Sequence, residues 1–218
     1  MSQTDREKWD ARYVDADAAP ATPSIHLTHL EGVLPRQGRA LDIAGGAGRH
    51  ATWLAKHGLD VTITDISKNG LRIAAFRAQQ QGVKIKEYCC DLEADPLLPE
   101  GKFDVIVSFH YLQRSLWPAM RAALAVNAWL VFVQPTVRNL ERHARPQKDY
   151  LLAEGEAAAV AEGLYVYSYR EDWLEEGRHE AVVVARRRRV VTVLAGTVHY
   201  RIRLRGRDSL AGRAANGA

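Results

Sequence analysis

Cysteine is scarce in this chain of 218 residues, and its two copies, Cys89 and Cys90, are neighbours. Adjacency disfavours a cross-link between them, and neither stands at metal-ligand spacing, so no disulfide scaffold and no metal centre is expected. Free thiols fit a reducing, cytoplasmic setting. No apolar run approaches the ~18 residues that a membrane helix needs. The opening Met1-Ser2-Gln3-Thr4-Asp5-Arg6-Glu7-Lys8 is too charged for a secretory signal. No internal repeat is visible. Acids are nearly missing from one region: residues 186–218 hold nine arginines and one acid, Asp208. That tail carries +8 of a net charge of +4, which leaves −4 on residues 1–185. The basic character belongs to the tail, so a general nucleic-acid surface is not expected, and the tail's sparse aromatics argue against base stacking.

What is present is an alternation of strand-length and helix-length apolar patterns, the signature of a parallel α/β sheet. Strands are expected near 39–44, 60–65, 83–88, 103–109 and 128–134, and helices near 48–57, 68–81 and 113–125. Ser67 is the expected cap of the second helix, and Gly58 and Gly82 close the first two. A polar connection at 135–150 and a short helix near 153–162 follow. Two β-rich runs, Leu164–Tyr169 and Ala181–Ala185, have no helix between them and should pair as an antiparallel hairpin. Two further strand-like runs, Val190–Leu194 and Val198–Leu204, lie in the basic tail.

The chemistry concentrates in Ala40-Leu41-Asp42-Ile43-Ala44-Gly45-Gly46-Ala47-Gly48-Arg49-His50, with Asp65 after the second strand and Asp91 after the third. In a doubly wound sheet the carboxyl ends of these strands meet at one crevice. A nucleoside laid there would meet the glycine turn, Asp65 at its ribose, and Asp91-Leu92 at the edge of its base, with Asp42 placed for an amino group or a water. His110 and Tyr111 follow the fourth strand at the same crevice and are the candidate catalytic groups, His110 as a proton acceptor. Gly46-Ala47-Gly48-Arg49-His50-Ala51 alone also satisfies a dinucleotide pattern.

These residues resemble the class I S-adenosylmethionine-dependent methyltransferases, over roughly residues 5–188. The acid and glycine spacing at Asp42, Ala44, Gly46 and Gly48, the acids Asp65 and Asp91, and the closing hairpin carry the likeness. Gly48-Arg49-His50, Trp53-Leu54-Ala55 and the early Lys8-Trp9-Asp10-Ala11-Arg12-Tyr13 are most similar to the small tellurite-resistance-type methyltransferases. The resemblance implies a Rossmann-like, seven-stranded, mostly parallel sheet with a C-terminal antiparallel hairpin. The implied domain is residues 1–188, with a cap at 1–38, followed by a partly disordered extension at 189–218. S-adenosylmethionine is the implied cofactor, held by Asp42, Ala44, Gly45, Gly46, Gly48, Arg49, Asp65, Ile66, Asp91, Leu92 and Ser108, with Trp9 and Tyr13 as a lid.

The acceptor would be a small molecule, with a soft nucleophile, thiol or oxyanion favoured, and the chain a monomer or homodimer. Arg138, Arg142 and His179 are the candidate substrate contacts, read either as a cationic mouth or as solvated loop and turn. A non-catalytic regulatory module that binds the cofactor and a nicotinamide oxidoreductase are the competing readings. Two positions depart from the family pattern. Ala44 replaces the usual first glycine, tolerable if its φ is negative. Val126-Asn127-Ala128 replaces a glycine turn, which Asn127 can fill in a left-handed conformation. Cys89 and Cys90 are expected as a buried strand end.

Overall fold

The computed structural model describes residues 3–14 and 19–189. The strand-like runs expected at 190–194 and 198–204, with the rest of the basic extension, lie outside the described residues. The helices are α1 (Gln3–Arg12), α2 (Ile25–Thr28), α3 (Arg49–Lys56), α4 (Lys68–Gln80) and α5 (Trp117–Ala123). The strands are β1 (Arg39–Ile43), β2 (Asp60–Asp65), β3 (Ile85–Cys89), β4 (Phe103–Phe109), β5 (Leu124–Pro135), β6 (Tyr165–Trp173) and β7 (His179–Arg186).

The seven strands form one sheet in the order β3-β2-β1-β4-β5-β7-β6. The first five are mutually parallel, and β7 runs antiparallel to both β5 and β6. Strand alternation divides the core between two faces. Val105 and Val107 of β4 and Val131 and Val133 of β5 pack with Leu27 of α2, Leu54 of α3 and Leu71 of α4. Ile106, Leu130 and Phe132 point the other way, onto Leu116, Met120 of α5 and Val160 of a 3-10 turn, Glu156–Ala161.

Local signals place the elements much as the sequence implies. Ser67 caps α4 by accepting from the Gly70 amide at 3.0 Å. Gly58 and Gly82 close α3 and α4 with φ of 110° and 72°. Asn127 does adopt a left-handed conformation, at φ 67°. The turn it makes sits inside β5, because Leu124 already pairs with Phe103 before the register shifts. The expected helix near 153–162 is the 3-10 turn, and the polar 135–150 segment holds two more short 3-10 turns. Cys89 is exposed and Cys90 half-buried, both as free thiols, so the buried pair expected from sequence is not found.

One topological consequence positions the site. The carboxyl ends of β1, β2, β3 and β4 open at one edge of the sheet. Because β7 is antiparallel, it brings its beginning to that same edge, where Glu180 pairs with Pro135 at the end of β5.

Candidate active site

The glycine turn is tight for definable reasons. The Gly45 amide donates to the Thr64 carbonyl at 2.9 Å, which draws the turn against β2. A Cβ on Gly45 would lie 2.7 Å from both Asp42 Oδ2 and the Ile63 side chain, so no larger residue fits without movement. The Gly46 amide donates to Asp65 Oδ2 at 2.8 Å, and a Cβ there would collide with the Tyr13 hydroxyl. Gly48 lies against Ala74 of α4, so its missing side chain serves helix packing.

Ala44 corrects an expectation. Its φ is +53°, in the left-handed region, so the condition under which its methyl would be harmless is not met. The amide is held there by Thr64 Oγ1 at 3.3 Å. Ala44→Gly removes that strain, offset in part by the larger backbone entropy of glycine, and should stabilise the protein by about 0.5–1 kcal/mol. A urea titration of the two proteins checks this, and a lower midpoint for the glycine variant would contradict it.

Above the turn lies a cavity of about 360 Å³. Its floor and walls are Asp42, Ala44, Gly45, Arg49, His50, Asp65, Ile66, Cys90 and Leu92. Trp9, Arg12 and Tyr13 cover it, and Phe109, His110 and Tyr111 close the side next to β4. The cover is anchored through Asp10, whose Oδ1 accepts from Ser67 Oγ at 2.7 Å and the Asn69 amide at 3.1 Å, while Asn69 Nδ2 donates to the Asp10 carbonyl at 3.0 Å. The segment α1 is therefore tied to the start of α4, directly beside Asp65.

The cavity's electrostatics are unbalanced. Asp42 Oδ2 accepts from the Ala51 amide at 3.0 Å, but its Oδ1 is buried without a partner. Burial, with Asp65 nearby, pushes the Asp42 carboxyl up to about 7, against that amide bond. Burial also raises Asp65, although its oxygens accept from the Gly46 and Ser67 amides. Arg49 is half-buried, and burial lowers its pKa; its side chain makes no hydrogen bond or ion pair among the described residues. His50 is stacked on Phe109 at 3.9 Å with Nε2 unpartnered, and burial holds it well below the usual imidazole range, hence neutral. Burial pushes the Cys90 thiol up to about 11 and the Tyr13 phenol up to about 12, and raises Tyr111 as well, so all three keep their protons at neutral pH.

Next to His110 stands an ionic network centred on the buried Glu180 carboxylate. His110 Nε2 lies 2.7 Å from Glu180 Oε1, which Arg178 Nε also reaches at 3.0 Å. Glu180 Oε2 faces His26 Nε2 at 3.4 Å. His110 itself has φ of +59° at the end of β4.

The family profile described as a methyltransferase domain matches residues 40–130. That stretch, β1 through most of β5, is thus similar to a methyltransferase domain. The curated relatives it matches include a ubiquinone biosynthesis O-methyltransferase of Coxiella burnetii (strain Dugway 5J108-111), 32% identical over 91 residues, or 41% of this chain and 38% of the relative. A second, from Bordetella avium (strain 197N), is 26% identical over 99 residues, 43% of this chain and 41% of that protein. The chain thus spans about two-fifths of the length of these relatives. Among solved structures, TehB from Haemophilus influenzae shares the fold with a TM-score of 0.64 at 19% identity, over 84% of this chain and 67% of TehB. NodS, an N-methyltransferase from Bradyrhizobium japonicum WM9 in complex with S-adenosyl-l-homocysteine, gives 0.63 at 18%, over 84% and 97%.

Most of the residues expected at the cofactor line one cavity, Trp9 and Tyr13 among them. Four do not line it. Gly46 and Gly48 act through backbone and packing, as above. Ser108 is buried inside the sheet, paired with Ile43 and Phe132. Asp91 caps the turn after β3, its Oδ1 accepting from the Glu93 and Ala94 amides at 3.0 and 3.2 Å.

Arg138, Arg142 and His179, expected as substrate contacts, lie apart from this cavity. Arg138 pairs with Glu141 at 2.9 Å, and Arg142 lies 3.7 Å over the Trp173 ring. His179 is buried, with Nδ1 at 2.7 Å from Thr136 Oγ1 and its ring edge-on to Trp173. None of the three lines the cavity; they brace the β6–β7 turn. Sequence reasoning missed Glu180, His50 and Asp10. A lone carboxylate before the apolar run Ala181–Ala185 was the available signal for Glu180. Among the described residues no helix is long and apolar enough to cross a membrane, and no cluster could hold a metal ion.

Proposed function

We propose that this domain transfers a methyl group from S-adenosylmethionine to a small acceptor. One observation carries the reading: a buried carboxylate oxygen of Asp42 stands in the same cavity as the Arg49 guanidinium, and among the described residues neither has a hydrogen-bond partner. An anion and a cation left open at one end of a nucleotide crevice fit a zwitterion, the ammonium on Asp42 and the carboxylate on Arg49. Asp65 keeps lone pairs for ribose hydroxyls after serving its two amides. Ile66, Cys90 and Leu92 offer an apolar slot for a base.

When bound, the cofactor supplies an electrophilic methyl group. The protein's own contribution is to orient the acceptor, exclude water through Trp9 and Tyr13, and hold a proton acceptor at His110. Methyl transfer is the element common to the names of the relatives and of NodS, which supports the reading. So does the S-adenosyl-l-homocysteine held by NodS.

A thermal-shift titration tests it. S-adenosylmethionine and S-adenosylhomocysteine should raise the melting temperature, with about 2.7 kcal/mol of stabilisation at one hundred times the dissociation constant, whereas NADH should not. A shift with NADH and none with either adenosyl compound would overturn the reading in favour of an oxidoreductase.

A further inference from the structure

Hydrogen-bond logic fixes the protonation pattern of the network beside the cavity. Arg170 Nη2 lies 2.6 Å from His26 Nδ1, and a guanidinium can only donate, so His26 Nδ1 accepts. The His26 proton is then on Nε2, which faces Glu180 Oε2 at 3.4 Å. Arg178 brings its positive charge to Glu180, with Nε 3.0 Å from Oε1. Every group that meets Glu180 thus brings a proton or a positive charge, so Glu180 is an ionised acceptor. Burial alone would raise it, but bonds from His110 and His26 and the charge of Arg178 hold it well below the usual carboxylate range. The remaining partner, His110 Nε2 at 2.7 Å, must also donate. In the neutral form of the ring the proton is therefore on Nε2, and Nδ1 is the bare nitrogen of a ring that lines the cavity.

We propose that His110 is the general base for a hydroxyl-bearing acceptor and that Glu180 is its positioning residue, holding the tautomer in which Nδ1 receives the proton. This rests on the methyl-transfer reading and narrows its acceptor class. A thiol ionises readily by itself, and a soft anion needs no base, so a built histidine–carboxylate pair has a use only for an acceptor that keeps its proton. The balance is simple. The acceptor O–H bond breaks and its proton passes to Nδ1. The oxygen's electron pair forms the bond to the methyl carbon, and the pair of the broken carbon–sulfur bond stays on sulfur as a thioether. The positive charge once on sulfur ends on the imidazole, beside the Glu180 carboxylate.

The other groups about His110 agree. Arg49 and His50 on α3 supply no acid to it, since a guanidinium holds its protons too tightly to give one up and His50 is neutral. Arg178 and Arg170 are engaged, and Tyr111 keeps its phenolic proton. The +59° φ of His110 is strain held at a functional position, and the Glu180 bond is what directs the ring.

The experiment has two readouts. Long-range nitrogen-15 spectra of the full chain at pH 8.5 should show His110 protonated on Nε2 and bare on Nδ1. Glu180→Gln, whose amide can donate, should move the proton to Nδ1. Turnover of catechol and of thiophenol then follows. His110→Ala should lose roughly 10²–10⁴-fold in kcat on catechol, partly restored by added imidazole, and under tenfold on thiophenol. A proton on Nδ1 in the parent protein, or equal losses on the two acceptors, overturns the proposal. So does absence of catechol turnover in a protein that binds S-adenosylhomocysteine by calorimetry. Absence of that binding instead overturns the methyl-transfer reading itself, while the spectra still report the tautomer.

Discussion

Asp42→Asn should make the cofactor-free protein more stable at pH 8 by roughly 2–4 kcal/mol while removing most of its affinity for S-adenosylhomocysteine. The Asp42 carboxyl rises from 3.8 to about 7 on folding, chiefly because it is buried. An acid raised in this way binds its proton more tightly in the native state. Its cost is absent below about pH 4, grows as pH climbs through the interval, and is complete above about 7. At about 1.36 kcal/mol per unit the full span comes to a little over 4 kcal/mol. The asparagine amide that replaces the carboxyl, without a partner where Oδ1 stands, takes back part of the gain. Chemical denaturation at pH 5 and pH 8 checks the sign: the two proteins should nearly coincide at the lower pH and separate at the higher. A less stable variant at pH 8 would show that the carboxylate is already compensated.

Glu180 should behave in the opposite way. Its folded pKa is depressed, so its stabilisation is present above about 4.5 and is lost as pH falls towards the folded value. Glu180→Ala leaves the buried His26, and the more exposed His110 and Arg178, without their anion. Breaking a buried ionic group from one side costs about 3–5 kcal/mol. Glu180→Gln keeps the volume and should cost clearly less. Denaturation midpoints at pH 7 measure both; an alanine variant within about 1 kcal/mol of the parent would mean that the network contributes little. Together the two carboxylates give the domain opposing acid responses from one crevice.

The part of this site legible in the sequence was the part that is local. Asp42, the glycine turn and the start of α3 lie in one strand–turn–helix unit, so spacing along the chain is spacing in space. Asp65 and His110 could be placed because parallel strands bring their carboxyl ends to one edge. The hairpin was readable too, from the lack of a helix between its two runs. An antiparallel last strand delivers its first residues, His179 and Glu180, to the same edge as the ends of β4 and β5, and of the two the sequence pointed to His179. Which of the two turns inward depends on strand register, and register is set by packing across β5 and β6.

The arginines after β5 misled for a related reason. Charge clustering in sequence says nothing of direction, and Trp173 offers Arg142 a ring face outside the cavity. The φ of Ala44 was likewise hidden, since it is imposed by the closure of the turn on Thr64.

The cavity should take a zwitterionic adenosyl ligand, with Asp42 receiving its ammonium. Calorimetric titration of S-adenosylhomocysteine at pH 7, repeated in buffers of different ionisation enthalpy, tests this most directly. An ammonium arriving at a carboxyl poised near 7 should expel its proton, so the observed enthalpy should change with buffer and report a fractional proton release, and Asp42→Asn should abolish the dependence. Binding with one enthalpy in every buffer, or unchanged binding by the asparagine variant, would contradict the account.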